Sequence, residues 1–236
     1  MAETRRPELE HLTRLLRKTL PDARVEVRAL DLCPAIRLHL ISPDNMDRAF
    51  SPDEVCSILE NTPYWAFCWA AGHALAAFLL ENPELCRGGR VVDVGAGSGV
   101  AAVAAAMAGA REVTACDLDG DALEAARANG RLNGVELEVC GSLGEIRGPT
   151  DLLLASDLLY DRENRPLLAA FPRLASRVLV ADARVRVDET SGYRRIHGME
   201  ADTLPDLGES EAFRRVGFYS PRSGSRLSSP SGAGRA

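Results

Sequence analysis

Between residues 91 and 107 the chain passes from a short valine run through Gly95, Gly97 and Gly99 into an alanine-rich stretch ending at Met107. β-branched residues favour a strand, closely spaced glycines a tight loop, and alanines a helix. Strand, glycine loop and helix in that order open an open α/β sheet, and the loop falls where such a sheet binds its ligand. This unit constrains the fold more than any other feature.

The alternation continues beyond it. Val113 to Asp117 reads as a second strand, Ala122 to Leu132 as a helix, Val135 to Val139 as a third strand and Leu152 to Ala155 as a fourth. Pro166 to Leu174 has helical spacing and Val178 to Ala181 reads as a fifth strand. Ile196 to Leu204 and Phe213 to Tyr219 suit a closing antiparallel pair. The expected architecture is α/β: a Rossmann-like, doubly wound, mostly parallel seven-stranded sheet.

Ahead of it, Leu9, Leu12, Leu15, Leu16 and Leu20 share one helical face that Pro21 ends. Val25 and Val27, then Ile36, Leu38 and Leu40, alternate as a small β addition. Ser51 with Glu54 is a capping-box signature for a short helix, and Trp69 to Leu80 reads as a longer one. The expected division is residues 1–62 as an N-terminal helix and β-hairpin addition, 63–219 as the ligand-binding domain, and 220–236, rich in Ser, Gly and Arg, as a disordered tail.

Charge narrows the partners. With 28 basic against 34 acidic side chains the net charge is −6, so duplex DNA, held mainly through clustered Lys and Arg, is not expected, and RNA is disfavoured. The uncharged Gly- and Ala-rich run Val94 to Ala110 is shorter than the roughly 20 apolar residues of a membrane span, so no membrane partner is expected. No targeting pattern follows Met1. Six cysteines without a C-x-x-C pair read as reduced thiols packed as small hydrophobes, and the expected location is cytoplasmic. His11, His39, His73 and His197 have no ligand spacing, so no metal is expected.

The loop Asp93-Val94-Gly95-Ala96-Gly97-Ser98-Gly99 reads G-x-G-x-G, with Val100 where a dinucleotide fingerprint requires its third glycine. Asp93 would also set a carboxylate near a pyrophosphate. Asp117 stands 22 positions after Gly95 at a strand end, the distance at which an acid meets ribose hydroxyls across a β-α-β unit. An Asp there also serves as a helix cap, a task open to Asp119 or Asp121. The acidic G-x-G-x-G loop resembles motif I of the class I S-adenosylmethionine methyltransferases. That resemblance implies S-adenosyl-L-methionine as cofactor, held by Asp93, Gly95, Gly97, Gly99 and Asp117, with Ser142 and Leu143 flanking the adenine.

After the fourth strand, Asp157-Leu158-Leu159-Tyr160 resembles the Asp-x-x-Tyr turn of the lysine methyltransferases often called family 16. Pro63 to Ala76, with Trp65, Trp69, Gly72 and His73, followed by Leu79 to Pro83 and the glycine loop, resembles the family of the electron transfer flavoprotein beta-subunit lysine methyltransferases and their bacterial relatives. The likeness runs from about Pro63 to Asp161. It implies an enzyme acting on a protein lysine, with the electron transfer flavoprotein beta subunit as partner, Asp157 and Tyr160 as catalytic residues, and Trp69 beside the methyl donor. On the residues alone, Asp157 and Tyr160 also fit a cap and a packing aromatic, and Trp65 and Trp69 fit a core. Three other functions share this fold: a small-molecule N-methyltransferase of the nicotinamide type, a ribosomal-protein or RNA methyltransferase using the arginine-rich region from Arg162 to Arg195, and a non-catalytic donor-binding module. For a lysine acceptor, a reference pKa near 10.4 leaves only about 0.04% neutral at pH 7, so deprotonation must be assisted.

Overall fold

A computed structural model describes residues 7–46, 48–187 and 192–222. The chain runs α1 (Pro7–Leu16), β1 (Val25–Ala29), β2 (Arg37–Ile41), α2 (Pro52–Glu60), α3 (Ala70–Glu81), β3 (Arg90–Val94), α4 (Val100–Met107), β4 (Glu112–Cys116), α5 (Gly120–Leu132), β5 (Glu138–Cys140), β6 (Thr150–Ser156), α6 (Leu167–Leu174), β7 (Ala175–Asp182), β8 (Tyr193–Glu200) and β9 (Arg215–Pro221). Seven strands form one sheet in the order β5-β4-β3-β6-β7-β9-β8. The first five pair in parallel and the last two close the edge antiparallel, as the sequence pattern predicts.

Both faces of the sheet are covered, which explains the near-continuous apolar strands. Val91, Leu152, Leu154, Leu179, Ala181 and Phe218 pack with α3 and α4 on one face. Their strand neighbours Val92, Leu153, Val178 and Val180 pack with Leu168 and Phe171 of α6 on the other. The N-terminal elements join α5: Leu12, Leu16, Val25 and Ile41 share a buried cluster with Trp65 and with Ala122, Ala125 and Ala128. Asn129 of α5 accepts from the His39 backbone N–H at 2.7 Å, fixing β2 to that helix. Trp65 is thus a core residue, 2% exposed.

Ser51 and Glu54 close the expected capping box, the Glu54 N–H donating to Ser51 Oγ at 3.2 Å and the Ser51 N–H to Glu54 Oε2 at 2.8 Å. His73 is buried at 1% exposure, its Nε2 accepting from the Leu32 N–H at 3.2 Å.

Three expectations need correction. The third strand is only Glu138–Cys140. Val135 instead donates its N–H to Gly130 O at 3.0 Å, closing α5, and a Cβ on Gly130 would meet Leu137 at 3.0 Å, so residues 135–137 pack on the helix before pairing starts. Ser220 and Pro221, assigned to the tail, pair with Arg194 and Tyr193 in β9; the tail from residue 223 onward lies outside the described residues. Cys56 is exposed on α2, unlike the other five cysteines, which are buried; all six are free.

Gly99 caps α4 at φ 75°. A Cβ there would lie 2.7 Å from Ala126 Cβ and 2.8 Å from its Cα, so the glycine is what lets α4 approach α5. Gly97 has φ +52°, but a Cβ there would meet nothing within 4 Å. Gly97→Ala should therefore cost about 1 kcal/mol for the left-handed backbone, while Gly99→Ala should cost that plus an overpacking penalty of about 1–3 kcal/mol. Urea unfolding of the two variants checks the ordering.

Candidate active site

β4 lies on one side of β3 and β6 on the other, so the chain switches direction across the sheet at β3. A crevice opens at such a switch point, outside the carboxyl ends of the strands. Here it is a cavity of about 660 Å³, a size suited to a nucleoside-sized ligand. Tyr64, Trp69, Gly95, Gly97, Asp117, Leu118, Ser142, Leu143, Asp157, Tyr160 and Arg184 all contribute to its wall.

On the β3–β4 side, Asp117 spans the glycine loop. Its Oδ2 accepts from the Gly97 N–H at 2.9 Å and its Oδ1 from the Asp119 N–H at 3.0 Å. Each oxygen keeps acceptor capacity, so the held carboxylate fits a pair of vicinal hydroxyls. Asp119 is the N-cap of α5, accepting from the Asp121 N–H at 2.8 Å. Leu118, between them, is 88% exposed, and Leu143, next to Ser142 in the chain, lines the same cavity. Two leucines in one cavity wall suit a flat apolar ring. Gly97, open above the loop, leaves room for close backbone approach. These features fit a nucleoside carrying a charged amino-acid arm.

Two residues expected on the ligand do not line the cavity. Asp93 is buried beneath the loop at 1% exposure, and its Oδ2 accepts from the Ala102 N–H at 3.1 Å in the first turn of α4. Its Oδ1 is buried without a partner, and burial pushes the carboxyl up from 3.8 to about 7. Gly99 faces α5. Both shape the loop from behind.

On the β6 side, Asp157 has φ 48°, an unusual backbone for a residue other than glycine. Its N–H donates to Ala181 O at 3.2 Å, and its Oδ2 accepts from the N–H groups of Ala71 and Gly72 at 2.8 and 3.3 Å, in the first turn of α3. The carboxylate thus satisfies a helix terminus, but that of a distant helix rather than of the turn that follows it. Burial and the neighbouring Asp182 carboxylate push it up to about 7, against those N–H groups and the Arg184 guanidinium. Asp182 itself is 2% exposed and also raised by burial; its Oδ1 accepts from the N–H groups of Arg184 and Val185, while Oδ2 has no partner.

Aromatic rings frame the mouth beside Asp157. Tyr160, 48% exposed, lies 5.5 Å from the Tyr64 ring, and Tyr64 lies 5.9 Å from Trp69. Partial burial and a hydrogen bond with Tyr64 hold the Tyr160 hydroxyl protonated. Trp69 Nε1–H donates to Tyr64 O at 2.9 Å. Arg184 pairs with Glu209 and stacks 4.4 Å from the Phe213 ring centroid. Tyr64, Leu118 and Arg184 were not singled out by their sequence spacing. Leu118, an apolar residue directly after a strand-end acid, carried a usable signal, and so did Tyr64, five residues before Trp69 in the Pro63–Ala76 stretch; Arg184 did not, since only folding brings the segment after β7 to this wall.

Residues 202–204, after β8, hold the start of α3. Thr203 Oγ1 accepts from the Ala70 N–H at 3.2 Å, and Leu204 bridges Cys68 through two hydrogen bonds of 2.8 Å.

Comparison with known proteins gives three results. The family "Ribosomal protein L11 methyltransferase (PrmA)" matches residues 73–159. The electron transfer flavoprotein beta subunit lysine methyltransferase of Xenopus laevis is 36% identical over 77% of this chain and 76% of its own, and that of Danio rerio is 32% identical over 79% and 75%. Among solved structures, magnesium protoporphyrin IX methyltransferase from Synechocystis PCC 6803 with bound S-adenosylmethionine superposes with a TM-score of 0.50 at 16% identity, covering 74% of this chain and 86% of that one, a likeness of fold.

The raised Asp93 carboxyl has a measurable consequence. The unfolded chain releases this proton near pH 3.8 and the folded chain near pH 7, so the group's contribution to stability falls as the pH rises through that window. Asp93→Asn keeps an acceptor for Ala102 and removes the titration. Relative to the parent, the variant should gain stability from pH 4 to 7, by at most about 4 kcal/mol. Denaturant titrations at several pH values measure the difference.

Proposed function

The chain belongs to the family of the electron transfer flavoprotein beta subunit lysine methyltransferases, and on that premise we propose that it is an S-adenosylmethionine-dependent protein-lysine N-methyltransferase acting on the electron transfer flavoprotein beta subunit or a similar protein. The observation that carries the reading is the placement of Asp157. It lines the same cavity as the glycine loop and Asp117, which suit the donor. A reduced compartment such as the cytoplasm suits the six free cysteines.

Gly95, Gly97, Asp117, Leu118, Ser142 and Leu143 bind the donor, with Asp117 on the ribose hydroxyls and the two leucines on the adenine. When bound, S-adenosylmethionine supplies an electrophilic methyl group on a sulfonium. Trp69 lines the same cavity and stands beside the methyl donor.

Asp157 docks the incoming ammonium and orients it. A carboxylate alone would raise an amine's pKa, so docking must be coupled to proton removal. With Asp182 behind it, Asp157 titrates near neutrality, and its carboxylate takes one N–H proton from the ammonium, leaving the nitrogen lone pair exposed. Tyr160 and Tyr64 present ring faces to the cation, and their rings keep bulk water from the amine. The ribosomal-protein family match spans only residues 73–159, which leaves out Tyr64, Trp69, Tyr160 and Arg184. It covers the donor loop, Asp117 and Asp157, and the rest of the acceptor side follows the lysine methyltransferases.

Transfer of label from tritiated donor to purified electron transfer flavoprotein beta subunit tests the activity; label appearing only in small molecules or nuclease-sensitive material would overturn it. Asp117→Ala should weaken donor binding by about 2–3 kcal/mol, because two hydroxyl contacts to a charged acceptor are lost; calorimetry measures this.

Asp157→Asn keeps an acceptor for Ala71 and Gly72 and tolerates positive φ. It should retain donor affinity while turnover falls about 10²-fold or more. In the parent, turnover should rise with pH through about 7 as Asp157 ionises, and that limb should disappear in the variant.

A further inference from the structure

Among the described helices of eight or more residues, α2 alone buries none of its side chains completely. It is nevertheless firmly placed. The capping box fixes its first turn, Arg48 pairs with Glu54 there, and Ile58 packs against the cluster that contains Trp65. Its outer face carries Val55 and Leu59, one helical turn apart and 43% and 78% exposed.

Single exposed apolar residues are ordinary; the charge around these two and their position are not. The sequence holds no Lys or Arg between Arg48 and Arg87. The charged residues of α2 are Asp53, Glu54 and Glu60, and with Glu54 committed to Arg48, the exposed side of the helix carries the apolar pair along one edge and the exposed carboxylates of Asp53 and Glu60, seven positions apart, along the other. From Glu60 only Asn61, Thr62 and Pro63 separate the helix from Tyr64, itself 43% exposed at the mouth of the cavity. The opposite rim, after Tyr160, mixes Asp161 and Glu163 with Arg162 and Arg165 and has no such bias.

We propose that the exposed side of α2, with Val55 and Leu59 along one edge and Asp53 and Glu60 along the other, docks the substrate protein through a segment that is apolar and basic and lies beside the acceptor lysine. The proposal rests on the protein-lysine reading above. A lysine-bearing surface complements a face without cations, and the apolar contact supplies affinity that the charges alone, screened by salt, do not. A second copy of this chain fits poorly, since it carries a net charge of −6 and would set like charges against each other.

Two double variants test it, Val55→Ser with Leu59→Ser and Asp53→Lys with Glu60→Lys. All four positions are exposed, so folding should persist, as thermal melting would verify. Methylation of the electron transfer flavoprotein beta subunit is followed at low and moderate salt, with donor affinity by calorimetry. Each variant should raise KM for the subunit at least tenfold while kcat and donor affinity stay within twofold, and the lysine pair should abolish the rise of KM with salt. Unchanged KM in both variants would overturn the docking surface. So would a loss of donor affinity, which would make α2 a cover for the donor, or a shift in oligomeric state on sedimentation, which would make the face a contact between copies. Failure of the parent protein itself to label the subunit would sink the enzymatic reading instead, and is seen before any variant is made.

Discussion

The parallel pairing of β3 with β4 on one side and β6 on the other is the constraint on which the site depends. Val94 lies beside both Cys116 and Ala155, so the turns leaving the three strands emerge side by side. Because the chain must then run in opposite directions to reach its helices, the turns diverge and leave a crevice. The distance is short: a Cβ on Gly95 would meet Leu158 at 2.7 Å. Glycine at the one turn allows the other to approach, and the donor and acceptor halves of the cavity share a wall.

Three carboxylates close to this seam, Asp93, Asp157 and Asp182, are raised by burial, and each is partly offset by backbone N–H groups. Asp93 accepts from the first turn of α4, Asp157 from that of α3, and Asp182 from the turn after β7. Helix N-termini favour negative charge, so the same contacts that hold the helices in place lower the cost of burying the acids. Only Asp157 of the three lines the cavity. The neutral-range titration is therefore enclosed under the loop at Asp93 and opens on the cavity at Asp157.

The element order was legible in the sequence because parallel strands buried on both faces are continuous apolar runs, and helices follow them at regular spacing. β5 was misplaced because Val135 and Leu137 carry the same apolar signal whether they pair in a sheet or pack on a helix; periodicity cannot tell the two apart over so short a run. Asp93 and Gly99 were assigned to the ligand because their spacing marks the loop, while the direction of a side chain from a loop depends on what packs behind it. Arg184 joins the site from far along the chain, and no local pattern marks it.

The glycine spacing, the acid 22 positions after Gly95 and the Asp-x-x-Tyr turn by themselves determined the fold class and the kind of cavity it would build, because strand-loop-helix geometry restricts what can sit at each offset. Tertiary structure alone decided which of these side chains meet. It turned Asp93 under the loop and aimed Asp157 at a distant helix. It also set Asp182 behind Asp157 and left the acidic face of α2 uncovered beside the mouth. These outcomes follow from packing between elements distant in sequence, where burial and charge are set by neighbours that local spacing does not specify.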